Sequence, residues 1–337
     1  MRTIFLLCIL LLSVVTLDAK DYTKNQKVRY FIHQLVVKNH FDRAKLTELF
    51  RHVKYQKKAL AVYVPSLRPK VKPHKKRKKI GSWDHYTKMI LKPSKIPLGV
   101  EYLREHRSTL HRAYRQYGVP PEYIVALIGI ESHYGKHAGR YPVFDTLTTL
   151  AFERNRRNRF FRSELKAFLL MTKQEGINPK NVKGSYAGAI GQGQFMPSNY
   201  KIFAVDFDHD GKTRMTQAND AIGSVAHYLK RHGWKKNQKV AVRVSYSGTR
   251  YNARKTGYRY KYSRASLKGI EPKEPLNYNG KVHLIKLKKT DYDELWYGTH
   301  NFHVITRYNH SSYYAMAVHQ LAQNIKEKYR EKYGQNP

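Results

Sequence analysis

From Ile124 to Ile130 no polar side chain interrupts the chain, and the run opens behind Pro120-Pro121-Glu122, a helix start. Proline suits a first helical turn because it has no amide hydrogen to leave unpaired and its ring fixes a helical φ. A helix that is apolar on every side has no face to give to water, so it must run through the middle of a core built by other elements. At its end, Glu131 delivers a carboxyl into apolar surroundings. Burial penalises the charged form, so the pKa of Glu131 is expected to rise, and a carboxyl protonated near neutral pH can serve as a general acid. A second reading stays open, in which Glu131 is an ordinary helix-end carboxylate paired with Lys136 or Arg140.

The rest of the 337 residues, enough for roughly two domains or one enlarged by insertions, reads as helices that wrap this one. Apolar residues keep helical spacing in Phe41, Leu46, Leu49, Phe50 and Val53 after a cap at Asn39, and from Glu101 to Tyr117 up to a stop at Gly118. The same spacing returns over Phe160 to Thr172, Ala221 to Arg231 with Gly233 as its close, and Ser312 to Tyr333. Val240 to Tyr262 and Lys281 to Lys288 alternate apolar with polar or basic residues, the period of strands. The fold class is therefore α+β and mainly helical, a helical core with an inserted small β subdomain. The expected divisions are 1–19, a helical unit at 20–64, a basic proline-containing linker at 65–80, the core at 81–239, the β-rich insertion at 240–306, and a segment returning to the core at 307–337.

Charge narrows the partners. Sixty-four Lys and Arg against 24 Asp and Glu give +40, a field that draws the protein to polyanions. Arg2, the apolar run Ile4 to Val15 and the small ending Leu17-Asp18-Ala19 have the form of a cleaved signal peptide, so export to a periplasmic location is expected. The run is too short for a membrane-spanning helix, and Cys8 stands too early in it for a lipoprotein anchor. Without residues 1–19 the chain has no cysteine, which rules out disulfides and thiolate metal sites. Export argues against nucleic acid, and the basic run Lys70 to Lys79 lacks the interleaved aromatics that stack on bases. Polyanion contact and a solvated connector remain the two readings of that run.

A second stretch, Gly184-Ser185-Tyr186-Ala187-Gly188-Ala189-Ile190-Gly191-Gln192-Gly193-Gln194, has the small residues that let a backbone approach a ligand closely, or that pack a turn-rich loop. Continued to Tyr200, and together with Trp83-Asp84-His85-Tyr86, Gly118-Val119-Pro120-Pro121-Glu122, Gly129-Ile130-Glu131-Ser132, Asp220-Ala221-Ile222-Gly223-Ser224-Val225-Ala226 and Arg307-Tyr308-Asn309, it resembles the lytic murein transglycosylase B family. The motifs span roughly residues 30 to 325.

The resemblance implies a lysozyme-like helical core that cleaves the β-1,4 bond between N-acetylmuramic acid and N-acetylglucosamine of peptidoglycan and leaves 1,6-anhydro ends. Glu131 would be the one catalytic acid and base. Ordinary glycosidases use two carboxylates, and Glu153 and Glu164, in a basic helical region, are unconvincing partners. Ser185 and Gln194 would lie near the scissile bond, and Tyr86, Tyr308, Asn309 and Tyr314 would contact the sugars.

Asp206-Phe207-Asp208-His209-Asp210-Gly211 begins like an EF-hand loop, with Lys212 offering its carbonyl. Gln217 stands where that loop carries glutamate, and the resembled family closes with a later aspartate, here Asp220. A structural calcium ion is expected at Asp206, Asp208, Asp210, Lys212 and Asp220, with a metal-free Asp-rich turn as the alternative; no organic cofactor is expected. His133 and His137 lack the HExxH order of a helical zinc site. The expected partners are peptidoglycan glycan strands and, electrostatically, the anionic wall around them, met by a monomer. A non-catalytic peptidoglycan-binding protein of the same fold is the competing reading.

Overall fold

The computed structural model describes residues 19–68 and 80–337. Most of the expected signal peptide and the basic run Lys70 to Lys79 lie outside the described residues. The helices are α1 (Gln26–Asn39), α2 (Arg43–Arg51), α3 (Lys57–Tyr63), α4 (Ser82–Ile90), α5 (Lys95–Glu105), α6 (Arg107–Tyr117), α7 (Pro121–Ser132), α8 (Val143–Phe152), α9 (Asn158–Gln174), α10 (Pro197–Phe203), α11 (Ala218–Arg231), α12 (His300–Tyr308) and α13 (Ser312–Tyr333). The strands are β1 (Ala19–Lys20), β2 (Val53–Lys54), β3 (Tyr141–Pro142), β4 (Lys183–Gly184), β5 (Ala241–Tyr246), β6 (Ile270–Pro272), β7 (His283–Lys288) and β8 (Asp293–Gly298). Among the described residues no helix is long and apolar enough to cross a membrane.

Residues 19–68 and 144–166 form one compact unit. Asn25 Oδ1 accepts from the Lys27 amide at 2.9 Å to start α1, and Asp42 Oδ1 accepts from the Lys45 amide at 2.8 Å to start α2. Asn39, expected as a cap, instead ends α1 ahead of His40 in the left-handed region. Edge-on rings tie the later segment to the earlier one, with Phe50 5.1 Å from Phe144 and Phe31 5.6 Å from Phe152. Glu153 accepts from Lys20 Nζ at 2.6 Å and from the Tyr22 hydroxyl at 2.8 Å. These contacts group 144–166 with the N-terminal helices, whereas the sequence places it in the central block.

The second unit, residues 80–143 and 167–337 of the described chain, is built around α7. Ile124 to Ile128 have no exposed surface, and α5, α6, α11 and α13 pack on their helix. The single helix expected over Glu101 to Tyr117 is broken at His106 (φ −108°, ψ 23°). The break turns one apolar pattern toward two partners, α5 against α7 and α13 and α6 against α11. The β subdomain is a four-stranded antiparallel sheet in the order β6-β5-β8-β7, with its own core of Val242, Leu284, Leu295 and Tyr297. Strand β5 stops at Tyr246 rather than running to Tyr262, and β8 escapes the alternation rule because Glu294, buried within it, is met by Arg243 at 3.1 Å and the Trp296 indole at 2.8 Å.

Candidate active site

Glu131 stands in the last turn of α7, where its carboxyl is half-buried. Just beyond it His133 and Tyr134 both take left-handed φ values, 52° and 60°, and fold the chain back on the helix. The returning Tyr134 ring needs Gly129: a Cβ there would stand 2.5 Å from it. Tyr134 in turn donates to the Lys95 carbonyl at 2.6 Å, and Lys95 Nζ donates to the carbonyl of Gly129. A buried ammonium is thereby held beside the end of α7.

On the other side, Ser311 Oγ caps α13 by accepting from the Tyr314 amide at 3.2 Å, which seats Tyr314 in the first turn. The Tyr314 hydroxyl donates to Glu131 Oε1 at 2.5 Å. Burial pushes the Glu131 carboxyl up to about 7, against the hydrogen bond from Tyr314 and the charge of Lys95, which both pull it down. Burial lowers Lys95, and the charge of Glu131 partly restores it. Among the described residues no second carboxylate acts on Glu131, and neither Lys136 nor Arg140 forms an ion pair with it.

Tyr86, Tyr308 and Tyr314 are all raised by burial first and by the charge of Glu131 second, so the three phenols gather around one carboxyl. Tyr86 stacks on Trp83 at 5.9 Å and meets Tyr313 edge-on at 5.6 Å. Tyr308 donates to the Gly193 carbonyl at 2.5 Å, and Asn309 is exposed at the end of α12. Ser185 and Gln194 line a cavity of about 400 Å³ with His137, Arg140 and Tyr186. Ser185 Oγ accepts from the amides of Ala187 and Ala189, and Gln194 Nε2 donates to the carbonyls of Ala138 and Gly191. Both side chains therefore shape the glycine-rich loop as well as face the cavity.

Sequence reasoning missed two residues. Lys95 carried no signal beyond a lysine next to Ile96-Pro97. Gln192, in the quoted loop but given no role, is buried, accepting from the Tyr102 hydroxyl at 2.8 Å and donating to the Thr216 carbonyl at 3.0 Å.

The aspartates divide. Carboxylate oxygens of Asp206, Asp208 and Asp220 lie within 4.8 Å of one another, while Asp210 stands apart, paired with Arg214 and accepting from the Lys212 amide at 2.9 Å. Asp210 is exposed and Arg214 lies four residues on, so a local cation claims it. Oxygens of Asp220 accept from the amides of Phe207 and Arg214 at 2.8 and 2.6 Å. Asp208 Oδ1 is buried with no partner, which fits a cation held by these carboxylates.

The family described as Transglycosylase SLT domain matches residues 23–323. The chain is 40% identical over 312 residues to membrane-bound lytic murein transglycosylase B of Escherichia coli (strain K12), covering 90% of this chain and 84% of that protein. Among solved structures, the Escherichia coli lytic transglycosylase SLT35 in complex with calcium gives a TM-score of 0.84 at 39% identity, covering 92% of this chain and 96% of that one. SltB3 from Pseudomonas aeruginosa in complex with NAG-anhNAM-pentapeptide gives 0.74 at 28% identity, covering 89% and 79%.

Proposed function

The chain belongs to the SLT-domain transglycosylases, and we propose that it cleaves peptidoglycan between N-acetylmuramic acid and N-acetylglucosamine with Glu131 as its one acid and base. It is a lytic transglycosylase with a lysozyme-like fold. The observation that carries the mechanism is a lone half-buried carboxyl at the end of α7, bonded by the Tyr314 hydroxyl and with no second carboxylate acting on it among the described residues; burial pushes it up to about 7, so that a substantial fraction is protonated at neutral pH.

In the first step Glu131 gives its proton to the glycosidic oxygen, the C1–O bond breaks, and the N-acetylglucosamine leaves with its 4-hydroxyl restored. The acetamido group of the muramic ring supports the positive charge that develops at C1. In the second step the C6 hydroxyl of that ring bonds to C1, and its proton passes to the Glu131 carboxylate. The acid is regenerated, the 1,6-anhydro ring is closed, and no water is consumed. Tyr314 holds the carboxyl oriented for both transfers, while Tyr86, Tyr308 and Asn309 offer ring faces and polar groups to the sugars.

Three finer readings accompany this one. Asp206, Asp208 and Asp220 hold one Ca²⁺, which would supply positive charge to a cluster that otherwise repels itself, with Asp210 and the Lys212 carbonyl at its margin; the orphaned Asp208 oxygen and the calcium complex of the similar SLT35 support this. The apolar start ending at Ala19 is an export signal, and the enzyme acts in the periplasm. The +40 charge concentrates it on the carboxylates of the wall, an attraction that salt screens. The mechanism is tested by Glu131→Gln, which keeps shape and hydrogen-bonding reach but has no proton to transfer. Sacculus turnover should vanish while binding persists, and substantial residual turnover would contradict the assignment.

A further inference from the structure

We propose that the N-terminal unit carries a second, non-catalytic site, between α1 and the first half of α9, for carboxylate-bearing glycan. It rests on the function proposed above and extends it to a surface that the reaction does not use. A cavity of about 670 Å³ opens there. Phe31 lines it, its ring fixed by edge contacts to Phe50 at 6.1 Å and Phe152 at 5.6 Å. Tyr30 lines it too, 65% exposed, the most exposed large apolar side chain among the described residues.

Four cations line the same cavity: Lys27 from α1, and Arg159, Arg162 and Lys166 from α9. Residues 27, 30 and 31 share one face of α1, and 159, 162 and 166 one face of α9, so rings and charges converge on the opening. Arg162 and Lys166 are half-buried, and among the described residues none of the four meets a carboxylate. With only 24 acids for 64 bases many cations go unpaired, but this cavity collects four of them beside Phe31 and the exposed Tyr30.

The chemistry selects the occupant. Guanidinium groups grip carboxylates in a two-pronged fork, and a free tyrosine face covers the apolar side of a sugar ring. A simple inorganic anion would leave both rings and most of the cavity unused. A bilayer surface would bridge the concavity rather than fill it, whereas the volume falls in the range of roughly 300–1,000 Å³ typical of sites for discrete ligands. Stem-peptide carboxylates beside amino sugars unite both demands. The site would hold uncut strand while Glu131 works on another stretch, which lengthens residence on the wall.

The test uses the full-length Glu131→Gln protein, which leaves glycan uncut, mixed with soluble disaccharide-tetrapeptide oligomers and followed by amide hydrogen exchange. Residues 26–34 and 159–166 should gain protection, and Arg162→Gln with Lys166→Gln should weaken the affinity read there by about fivefold or more. An uncharged chito-oligosaccharide should protect them far less. Unchanged exchange, equal protection by the uncharged glycan, or protection by anionic lipid vesicles but not by the muropeptide would overturn the proposal. Anhydro ends released by the unsubstituted protein separate the two ideas. Their presence without protection at α1 and α9 overturns this site alone, and their absence overturns the function and this site with it.

Discussion

The hydroxyl of Tyr314 donates to Oε1 of Glu131 at 2.5 Å, although 183 positions separate the two residues in the chain. The bond favours the charged carboxylate and so opposes the burial that pushes Glu131 up to about 7. Lys95 opposes it too. The Glu131 carboxyl is thus held between opposing pressures, and each can be removed separately.

As the proposed general acid Glu131 would work protonated, so kcat/KM on a soluble muropeptide should fall above pH of about 7, roughly tenfold per unit. Tyr314→Phe removes a donor to the charged form, which moves that alkaline limb to higher pH while lowering the rate at its plateau. A pH-rate profile of both proteins checks the shift, and a limb that stays or moves down would contradict the assigned role.

Stability carries the same signature. Glu131 rises from 4.5 to about 7 on folding, so the folded state holds its proton more tightly than the unfolded chain. The resulting stabilisation is fully present below pH of about 4.5 and lost as pH rises through about 7. Glu131→Gln has no such loss. Relative to the parent it should gain on the order of 2 kcal/mol between those limits, after allowance for a half-buried group, and remain level above them. Urea unfolding across that range measures it, and parallel profiles for the two proteins would count against a raised pKa.

Lys95 should prove to be a positioning residue. In Lys95→Met the Gly129 carbonyl loses its donor and Glu131 loses a nearby cation. Stability should drop by about 1–3 kcal/mol, and the alkaline limb should move up as it does in Tyr314→Phe. A stability loss with an unmoved limb would reduce Lys95 to a structural part.

For the aspartates the expected outcome is graded. Calcium bound only to the folded state raises the thermal midpoint, by about 2.7 kcal/mol of stability at one hundred times its Kd. Asp206→Ala should abolish the rise. Asp210→Ala should diminish it less, because Asp210 is occupied by Arg214. A midpoint indifferent to calcium and chelator in the parent would remove the ion from the account.

The apolar surroundings of Glu131 were legible because seven consecutive residues without a polar side chain precede it, but the run alone left an ordinary helix-end carboxylate open, and the catalytic role came with the family resemblance. Asp206 and Asp208 were legible by spacing and Asp220 only through the family resemblance, whereas the pairing of Asp210 with Arg214 depends on a side-chain reach that spacing does not encode. Tyr314 came from family resemblance alone, since 27 tyrosines give no reason to choose one. Lys95 and Gln192 acquire meaning only from backbone carbonyls and a phenol brought to them by other helices. The break at His106 and strand β8 were hidden for a related reason: packing partners and the Arg243–Glu294 pair decide them, and neither leaves a local pattern.

The central claim is that one carboxyl closes a ring instead of activating water. Digestion of purified sacculi in heavy-oxygen water, with mass spectrometry of the muropeptides, tests it directly. Muramic ends one water lighter than reducing ends, with no heavy oxygen incorporated, are the expected result. Reducing ends labelled from the solvent would make the enzyme a hydrolase and contradict the account.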